Sequence, residues 1–463
     1  MNLKKVHSVY FIGVGGIGMS ALARWFKAND YFVSGYDSTR TALTDALSAE
    51  GIQIHFDDDP EKIAPEVLND KKGSLIIYTP AIPKDHKELN HLKDHAYEMY
   101  KRSEVLGFLT NSMFTIAVAG THGKTTTSSM IAHILKASGL NCTAFVGGIM
   151  TNYASNLIIG NEGHDAIMVV EADEFDRSFL TLHPDIAVIT AVDADHLDIY
   201  GTADELKDSF KAFIKNIKKN GQLFIEEEAA KKIDLLPNTE LNIKTYGVSR
   251  GQIHAENLSP QSGKFLFDYY SDHNEFKELS LKLPGFHNVS NATAAIATSE
   301  VLSLEGLAIK KGIDSYRGVK RRFEYIIHTD DLIFIDDYAH HPVEIAALLN
   351  SVNSMFTDKR ITAIFQPHLY TRTRDFAAGF AKSLSQVDEV ILLDIYPARE
   401  KPLAGVTSEM IYKDISVENK QMCSKSELLE MLSKKRLEVL LTIGAGDIDK
   451  MVEPIKAMLN NQL

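Results

Sequence analysis

A short glycine-containing loop between an apolar run and a helical pattern is the strongest constraint on how this chain folds. The run from Phe114 to Ala119 is apolar and β-rich, and a helical pattern follows Thr126. Between them stands Gly120-Thr-His-Gly-Lys-Thr-Thr126, so a strand is expected to deliver the loop to a helix N-terminus. Strands and helices that alternate in this way build α/β folds with parallel sheets. The sequence therefore predicts an α/β fold around this loop.

The same loop predicts phosphate binding. Backbone N–H groups and the helix dipole stabilise a phosphate, a lysine at position 124 reaches the β/γ-phosphates, and the Thr125 hydroxyl can ligate Mg²⁺. Val118 stands where the first glycine of the usual P-loop spacing would be. A glycine turn with a surface lysine is the alternative, but the flanking strand and helix favour nucleotide binding. The predicted ATP-binding residues of the loop are Gly120, Thr121, His122, Gly123, Lys124, Thr125 and Thr126.

A second glycine loop, Gly13-Val-Gly-Gly-Ile-Gly18, follows the apolar run from Val9 to Ile12. Asp37 comes about 20 residues later, where a ribose partner belongs in a dinucleotide-binding unit. Alone, this pattern favours NAD and an oxidoreductase. That interpretation leaves the second phosphate loop without a role, whereas a UDP-sugar carries a pyrophosphate and a ribose for the same loop. The candidate residues for this diphosphate are Gly13, Gly15, Gly16, Gly18 and Asp37.

Two residues beyond predicted strands are candidate Mg²⁺ ligands, because groups at the carboxyl ends of strands line the crevice of an open α/β sheet. Glu171 directly follows the predicted strand from Ala166 to Val170. His196 lies in Asp193-Ala-Asp-His-Leu-Asp198, after the strand that begins at Ile186. For each aspartate of that segment, helix capping and solvation are the simpler explanation.

The chain is too long for one hydrophobic core, and we expect three domains. It has 463 residues, and the strand–helix rhythm restarts near Ile333. The predicted domains are a Rossmann-like domain over residues 1–108, a central P-loop ATPase domain over 109–313 and a second Rossmann-like domain over 314–463. All three are of the α/β class.

Composition excludes several classes of protein. Hydrophobic residues make up 44% and charged residues 24%, as in ordinary globular proteins. The formal charge of -13 disfavours nucleic acid as a partner. Cys142 and Cys423 form no metal-binding or disulfide pattern, which fits a reducing cytosol. The first residues predict no signal peptide, and no apolar stretch approaches the length of a membrane span. We expect a cytoplasmic protein without membrane insertion, and the sequence leaves monomer or dimer open.

Three later clusters are further candidates for nucleotide contacts. They run from Gly285 to Ala292, from Gly318 to Phe323 and from Asp336 to Pro342. Asparagine side chains can pair with adenine edges, arginine can neutralise a γ-phosphate and a carboxylate can hold a ribose. Capping, turn formation and surface ion pairs are the alternative roles. No one of these three clusters by itself distinguishes a nucleotide contact from such a structural role.

Five motifs together, in this order over nearly the whole chain, resemble the Mur ligase family. They are Gly120-Thr-His-Gly-Lys-Thr-Thr126, Glu171-Ala-Asp-Glu174, Asp195-His-Leu-Asp198, His287-Asn-Val-Ser-Asn291 and Asp336-Asp-Tyr-Ala-His-His-Pro342. The segments Gly13–Ser20 and Gln366–Arg374 resemble those of the members that add alanine. The resemblance implies three domains, ATP and Mg²⁺ as cofactors, and UDP-N-acetylmuramate and L-alanine as small-molecule substrates. The implied reaction is ATP-dependent amide formation through an acyl phosphate, in peptidoglycan biosynthesis.

The resemblance also implies roles for single residues. Thr125 and Glu171 would hold one Mg²⁺, and His196 would help hold a second. The implied catalytic residues are Lys124, Glu171, His196 and Arg322. The implied nucleotide contacts are Asn288 and Asn291 to the adenine, Asp336 or Asp337 to the ribose, and Arg322 to phosphate. The candidates for amino-acid binding are His341, His368, Arg372 and Arg374. Leu369 departs from the arginine that some members carry after the histidine. Lys211 has the spacing of a carbamylated lysine in sister ligases, but a lysine-rich helix from Glu205 to Lys219 favours a solvated side chain.

Two rival functions besides the oxidoreductase stay open at this stage. One is a non-catalytic nucleotide-switched binding module, which would bind ATP and form no amide. The other is a recycling ligase of the same family, which attaches a preformed peptide instead of alanine. The glycine loop from Gly13 to Gly18 argues against the recycling ligase, because such relatives tend to interrupt that loop with bulkier residues.

Overall fold

Three β-sheets with helices form the framework of the chain. A computed structural model describes residues 3–161, 166–174, 177–193, 202–235, 240–261, 264–398 and 400–461. Its contacts divide these residues into two compact units. The first unit runs up to Glu256 and includes Asp268–Leu279 and Ser290–Tyr316, while the second comprises Asn257–Phe267, Ser280–Val289 and Arg317–Leu463. No helix in this described part of the chain is long and apolar enough to cross a membrane.

The first sheet has five parallel strands in the order β3-β2-β1-β4-β5. The central strand β1 is buried along its whole length because helices cover both faces of the sheet. The predicted Rossmann-like fold of this part of the chain is confirmed. The strands are β1 Ser8–Ile12, β2 Phe32–Tyr36, β3 Gln53–His55, β4 Ser74–Tyr78 and β5 Glu98–Lys101, and the helices are α1 Ile17–Ala28, α2 Ala42–Ala49, α3 Pro65–Leu68, α4 Lys87–Asp94 and α5 Arg102–Asn111.

The second sheet has ten strands, and β6 pairs in parallel with β9 on one side and β10 on the other. The strands are β6 Phe114–Ala119, β7 Cys142–Met150, β8 Ser155–Ile158, β9 Ile167–Glu171, β10 Ile186–Ile189, β11 Gln222–Glu226, β12 Asn242–Val248, β13 Ile253–Gln261, β14 Lys264–Tyr270 and β15 Glu275–Leu281. The helices are α6 Lys124–Ala137, α7 Ala203–Lys215, α8 Glu227–Ile233, α9 Phe286–Val301 and α10 Gly306–Ser315. Because Val118 pairs with Glu171, that carboxylate stands on the last residue of β9 rather than after it.

The third sheet has six strands in the order β16-β17-β21-β18-β19-β20, and only the pairing of β16 with β17 is antiparallel. The predicted restart of the strand–helix rhythm near Ile333 is confirmed. The strands are β16 Glu324–His328, β17 Ile333–Asp337, β18 Ile361–Phe365, β19 Glu389–Leu392, β20 Asn419–Met422 and β21 Val439–Ile443, and the helices are α11 Pro342–Met355, α12 Tyr370–Leu384, α13 Glu409–Asp414, α14 Lys425–Ser433 and α15 Asp449–Asn460.

Candidate active site

The predicted phosphate loop joins β6 to α6, and its glycines are required by the local geometry. Gly120 has φ +136°, and a Cβ there would lie 2.2 Å from the Thr190 hydroxyl oxygen. Gly123 has φ +79°, and a Cβ there would lie 2.7 Å from Asn291 Oδ1. No side chain caps the start of α6 at Gly123, and backbone N–H groups at a helix N-terminus are suited to binding an anion. The loop thus has the geometry of a phosphate-binding site, with Asn291 directly against it.

Lys124 is the first residue of α6, and its ammonium group is held at the loop. Nζ donates a hydrogen bond to the Gly120 carbonyl oxygen over 2.8 Å. It also pairs with both carboxylate oxygens of Glu174, at 2.9 and 2.7 Å. Burial alone would lower the pKa of Lys124, but the carboxylates of Glu174, Asp173 and Glu171 outweigh it and raise that pKa. The lysine therefore carries its proton.

Thr125 and Glu171 form a pair suited to Mg²⁺. The Thr125 hydroxyl donates to Glu171 Oε1 over 3.0 Å, and the Gly147 amide donates to Oε2 over 2.9 Å. Three carboxylates, Glu171, Asp173 and Glu174, act on the single charge of Lys124, which leaves negative charge for a divalent cation to balance. Among the described residues no group of three His, Cys, Asp or Glu side chains could hold a metal. Mg²⁺ needs only one or two protein carboxylates, since water and phosphate oxygens complete its shell.

The remaining loop residues are tied to the segment after β10. The Thr121 amide donates to the Ala191 carbonyl over 3.0 Å, and the Thr121 hydroxyl accepts from the Asp193 amide over 3.1 Å. Asp193 forms a 2.6 Å ion pair with Lys232. The predicted metal ligand His196, together with Asp195 and Asp198, lies outside the described residues.

The first glycine loop joins β1 to α1, and Asp37, which directly follows β2, contacts this loop. Gly13 has φ +89°, which favours glycine. The Gly15 amide donates to Asp37 Oδ2 over 2.7 Å, and a Cβ on Gly15 would lie 2.8 Å from that oxygen. Gly16 precedes the first residue of α1 without a side-chain cap. Turns of this βα type bind nucleotides in doubly wound folds, and here Asp37 lies against the second glycine of the loop.

A small pocket in the first compact unit is lined by residues of α5 and of the segment that begins at the end of β9. Arg102, Ser103, Glu171 and Asp173 line it. A Cβ on Gly18 would lie 2.5 Å from Arg102 Nη1, so this half-buried guanidinium also faces the first turn of α1. Arg102 therefore lies against Gly18 and also lines the pocket with Glu171 and Asp173.

The candidates in the second compact unit for nucleotide contacts are Asn288, Arg322, Asp336 and Asp337. The Asn288 amide donates to the Pro284 carbonyl over 2.7 Å. Asp336 is buried, forms a 3.0 Å ion pair with Arg321 and accepts from Thr442. Asp337 accepts from two backbone amides, and desolvation raises its pKa to about 6. Arg322 is half-buried at the turn before β16.

The four amino-acid-binding candidates lie around α11 and α12 in the second unit. His341 caps the start of α11 by accepting from the Val343 amide over 3.4 Å. The His368 ring stacks on Tyr396, with centroids 5.9 Å apart. Arg372 is half-buried, whereas Arg374 is exposed and pairs with the neighbouring Asp375. Residues two apart on a helix do not face the same side, so these two arginines point in different directions.

Comparison with known proteins shows the family to which the chain belongs. Three family models match: Mur ligase family, catalytic domain, over residues 8–113; Mur ligase middle domain over 118–299; and Mur ligase, glutamate ligase domain, over 321–446. Curated UDP-N-acetylmuramate–L-alanine ligases of Cytophaga hutchinsonii and Phocaeicola vulgatus are 48% and 47% identical to this chain. The match with the Cytophaga protein covers 99% of this chain and 98% of that protein. The match with the Phocaeicola protein covers 100% of both chains. The chain belongs to the Mur ligase family.

Solved structures of other Mur ligases have the same fold. The UDP-N-acetylmuramate-alanine ligase of Thermotoga maritima aligns with a TM-score of 0.84 at 29% identity, over 98% of this chain and 100% of its own. A murein peptide ligase of Psychrobacter arcticus aligns with a TM-score of 0.70 at 22% identity, over 98% and 99%. A MurF ligase of Thermotoga maritima was solved in complex with ADP, and its TM-score is 0.64 at 14% identity over the whole of both chains. The last two likenesses show the three-sheet fold alone.

Sequence reasoning missed three charged residues of this Mur ligase. Glu174 and Arg102 lie at the loops, and Arg321 pairs with Asp336. Glu174 belongs to the Glu171-Ala-Asp-Glu174 motif, but its partner lies 50 residues away along the chain. Nothing in the local pattern indicates which of the two glutamates faces Lys124.

Proposed function

We propose that this Mur ligase joins L-alanine to UDP-N-acetylmuramate and consumes ATP. The arrangement of Lys124, Thr125 and Glu171 at the phosphate loop carries this proposal, because it offers a cation and a metal-binding pair at a helix N-terminus. The curated relatives with nearly half their residues in common are named for this reaction. The Gly13–Gly18 loop, whose Gly18 lies against Arg102, is suited to the UDP diphosphate.

The proposed reaction has two steps. The lactate carboxylate of UDP-N-acetylmuramate attacks the γ-phosphorus of ATP, and the bond from that phosphorus to the ADP oxygen breaks. The alanine amine then attacks the acyl carbon of the resulting acyl phosphate, which forms the amide, releases inorganic phosphate and loses a proton. Two anions must approach in line in the first step, so the site has to supply positive charge and alignment rather than a protein nucleophile.

The residues of the phosphate loop fit these needs. Lys124 keeps its proton and would neutralise the β/γ-phosphates, and the uncapped N–H groups of α6 would bind their oxygens. Asn291, which lies against Gly123, would contact the nucleotide, and Asn288, Asp336 or Asp337, and Arg322 remain proposed contacts from the second unit. Thr125 and Glu171 would hold Mg²⁺, with His196 as a proposed ligand of a second ion. Bound Mg²⁺ supplies charge neutralisation between phosphate oxygens.

We assign one binding role to each of the three predicted domains. Residues 1–108 would bind the UDP moiety, residues 109–313 would bind ATP, and residues 314–463 would bind nucleotide and amino acid. His341, His368, Arg372 and Arg374 remain the candidates for the alanine, of which the half-buried Arg372 is better placed than the exposed Arg374 to hold a carboxylate. The buried free thiols of Cys142 and Cys423 support a reducing, cytoplasmic location.

Product mass distinguishes this proposal from the recycling reaction. Purified protein would be incubated with ATP, Mg²⁺ and UDP-N-acetylmuramate, together with either L-alanine or an alanine-led tripeptide. The proposal predicts the mass of the alanine amide in the first mixture and no new mass in the second. A product only from the tripeptide would assign the chain to the recycling ligases. An unchanged mass in both mixtures would contradict a ligase that acts on this sugar nucleotide.

A further inference from the structure

A buried carboxylate faces the phosphate-loop lysine. The Glu174 side chain has no solvent exposure, and that of Lys124 is 13% exposed. Both Glu174 oxygens lie within 2.9 Å of Lys124 Nζ. Because Glu174 is negatively charged, it adds no attraction of its own to a site that must bind triphosphate and carboxylate anions. The contribution of Glu174 must therefore be something other than substrate affinity.

Glu174 stands on a turn that fixes its position. The Glu174 carbonyl accepts from the Arg177 amide over 2.9 Å, and the Asp173 carbonyl accepts from both the amide of Phe179 and the hydroxyl of Ser178 over 3.1 Å. Because β9 precedes this turn and pairs with β6, the turn is anchored to the strand that leads into the phosphate loop. The carbonyls of Asp173 and Glu174 are thus both held by hydrogen bonds next to this carboxylate.

The position of the Lys124 ammonium group depends on a fixed partner such as Glu174. A lysine has a flexible stem with four rotatable side-chain bonds and a compact charge, so its helix position alone does not fix where the ammonium lies. Here Nζ is held from two sides, by the Gly120 carbonyl at 2.8 Å and by Glu174. A phosphate bound in the loop can replace the Gly120 carbonyl as the acceptor while the contact with Glu174 is kept.

We propose that Glu174 is a positioning residue that holds the Lys124 ammonium in line with the transferred phosphate. The inference rests on the proposed function. Positioning of this kind acts on the transition state, where the alignment of charge matters most, and contributes little to ground-state binding. Loss of the Glu174 charge therefore lowers kcat and leaves nucleotide affinity nearly unchanged.

The test compares three variants with the unaltered protein. Glu174→Gln keeps the shape of the side chain and removes its charge, while Glu174→Asp keeps the charge and shortens its reach. Glu240→Gln is the matched control, because Glu240 forms an exposed ion pair with Lys219 at 3.5 Å and lies in none of the binding loops. For each protein, kcat and the KM for ATP come from phosphate release. ADP affinity is measured separately by calorimetry, with and without Mg²⁺.

Glu174→Gln is expected to lower kcat by about 10- to 100-fold and to keep the KM for ATP and the ADP affinity within about threefold. Glu174→Asp is expected to recover part of kcat, and Glu240→Gln to match the unaltered protein. An unchanged kcat in Glu174→Gln would overturn the inference. An equal loss of kcat and ADP affinity would also overturn it, because that result indicates a structural role alone. If Glu174→Gln does not fold, Glu174→Asp carries the same test, with an intermediate loss of kcat expected.

Failure of the proposed function would be recognised separately. In that case the unaltered protein itself releases no phosphate with UDP-N-acetylmuramate and L-alanine. If the unaltered protein is active and Glu174→Gln keeps its kcat, only the positioning role of Glu174 is wrong.

Discussion

At the scale of single residues, Gly123 shows how the phosphate loop depends on a missing side chain. Its φ of +79° disfavours other residues, and Asn291 Oδ1 occupies the space that a Cβ would need. Gly139 has a similar φ of +85°, but nothing lies within 4 Å of its Cβ position. An alanine at position 139 therefore tests the effect of backbone strain alone, whereas an alanine at position 123 adds a steric clash with Asn291.

We predict that Gly123→Ala destabilises the protein by about 1–3 kcal/mol and weakens ADP binding at least about tenfold, since the loop must shift away from Asn291. Gly139→Ala is expected to lose about 1 kcal/mol or less and to bind ADP normally. Urea unfolding and ADP titration measure the two effects. Equal ADP affinity in both variants would contradict the role of the loop in nucleotide binding.

His133 provides a residue-scale prediction about pH. It is buried in α6 between the Tyr153 hydroxyl and the Ser315 hydroxyl, both at 2.9 Å, and burial lowers its pKa from 6.5 to about 4. Between these two values the unfolded chain binds more protons than the folded chain. His133 therefore contributes to the free energy of unfolding in full above about pH 6.5, and this contribution is lost as the pH falls toward about 4.

Replacing His133 by Gln removes this dependence, which amounts to at most about 3 kcal/mol. We expect the free energy of unfolding to fall less steeply between about pH 6.5 and about pH 4.5 in His133→Gln than in the unaltered protein. The same substitution at the exposed His95 is the control and should leave the slope unchanged. Urea unfolding at both pH values measures the slopes. Parallel slopes for all three proteins would show that His133 is not protonated on unfolding.

At the scale of elements, the β7–β8 hairpin holds α1 through one buried side chain. Asn156 in β8 donates to the Ile17 carbonyl over 2.6 Å and to the Ser20 hydroxyl over 2.9 Å, and it accepts from Arg24 over 2.5 Å. Arg24 also binds Glu50 through two nitrogens. Because α1 begins at Ile17, within the Gly13–Gly18 loop, this contact fixes that loop relative to the second sheet.

Asn156→Ala is predicted to lower the free energy of unfolding by about 2–4 kcal/mol, because it removes three hydrogen bonds made by a fully buried side chain. The KM for UDP-N-acetylmuramate should rise more than the KM for ATP. Asn90→Ala is the matched control, since Asn90 makes an exposed hydrogen bond to the Lys84 carbonyl, and it should change stability by less than about 0.5 kcal/mol. Comparable stability losses in the two variants would contradict the importance of this contact.

Sequence patterns predicted the buried strands well and the polar ones poorly. Continuous apolar runs such as Ser8–Ile12 and Val439–Ile443 lie inside parallel sheets, where both faces are covered. The strands Ile253–Gln261 and Glu275–Leu281 carry polar and charged residues at exposed positions, so no apolar run marks them. The helix predicted to reach Lys219 ends at Lys215, since the chain must turn through Asn220, at φ +63°, to enter Gln222–Glu226.

The candidate site was predicted in its parts, and the links between the parts were missed. Each glycine loop has a local pattern of strand, glycines and helix, which is why both could be located from sequence. Glu174 and Arg102 act on residues far away in the chain, so only the folded structure brings them to Lys124 and Gly18. Long-range pairs of this kind leave no periodic signal.

At the scale of the whole molecule, the three sheets match three family models that together span most of the chain. The proposed amide ligation needs a sugar nucleotide, ATP and an amino acid in one reaction, and no single glycine loop could bind all three. A dehydrogenase would need only the Gly13–Gly18 loop, and a nucleotide switch only the Gly120–Thr126 loop. The ligase is the one of these functions that uses both loops.

Phosphate release is the most direct test of that conclusion. Purified protein with ATP and Mg²⁺ would receive UDP-N-acetylmuramate and L-alanine, separately and together. The account predicts sustained phosphate release only when both substrates are present, in a one-to-one ratio with the amide product. Release that is independent of either substrate, or no release with any combination, would contradict it.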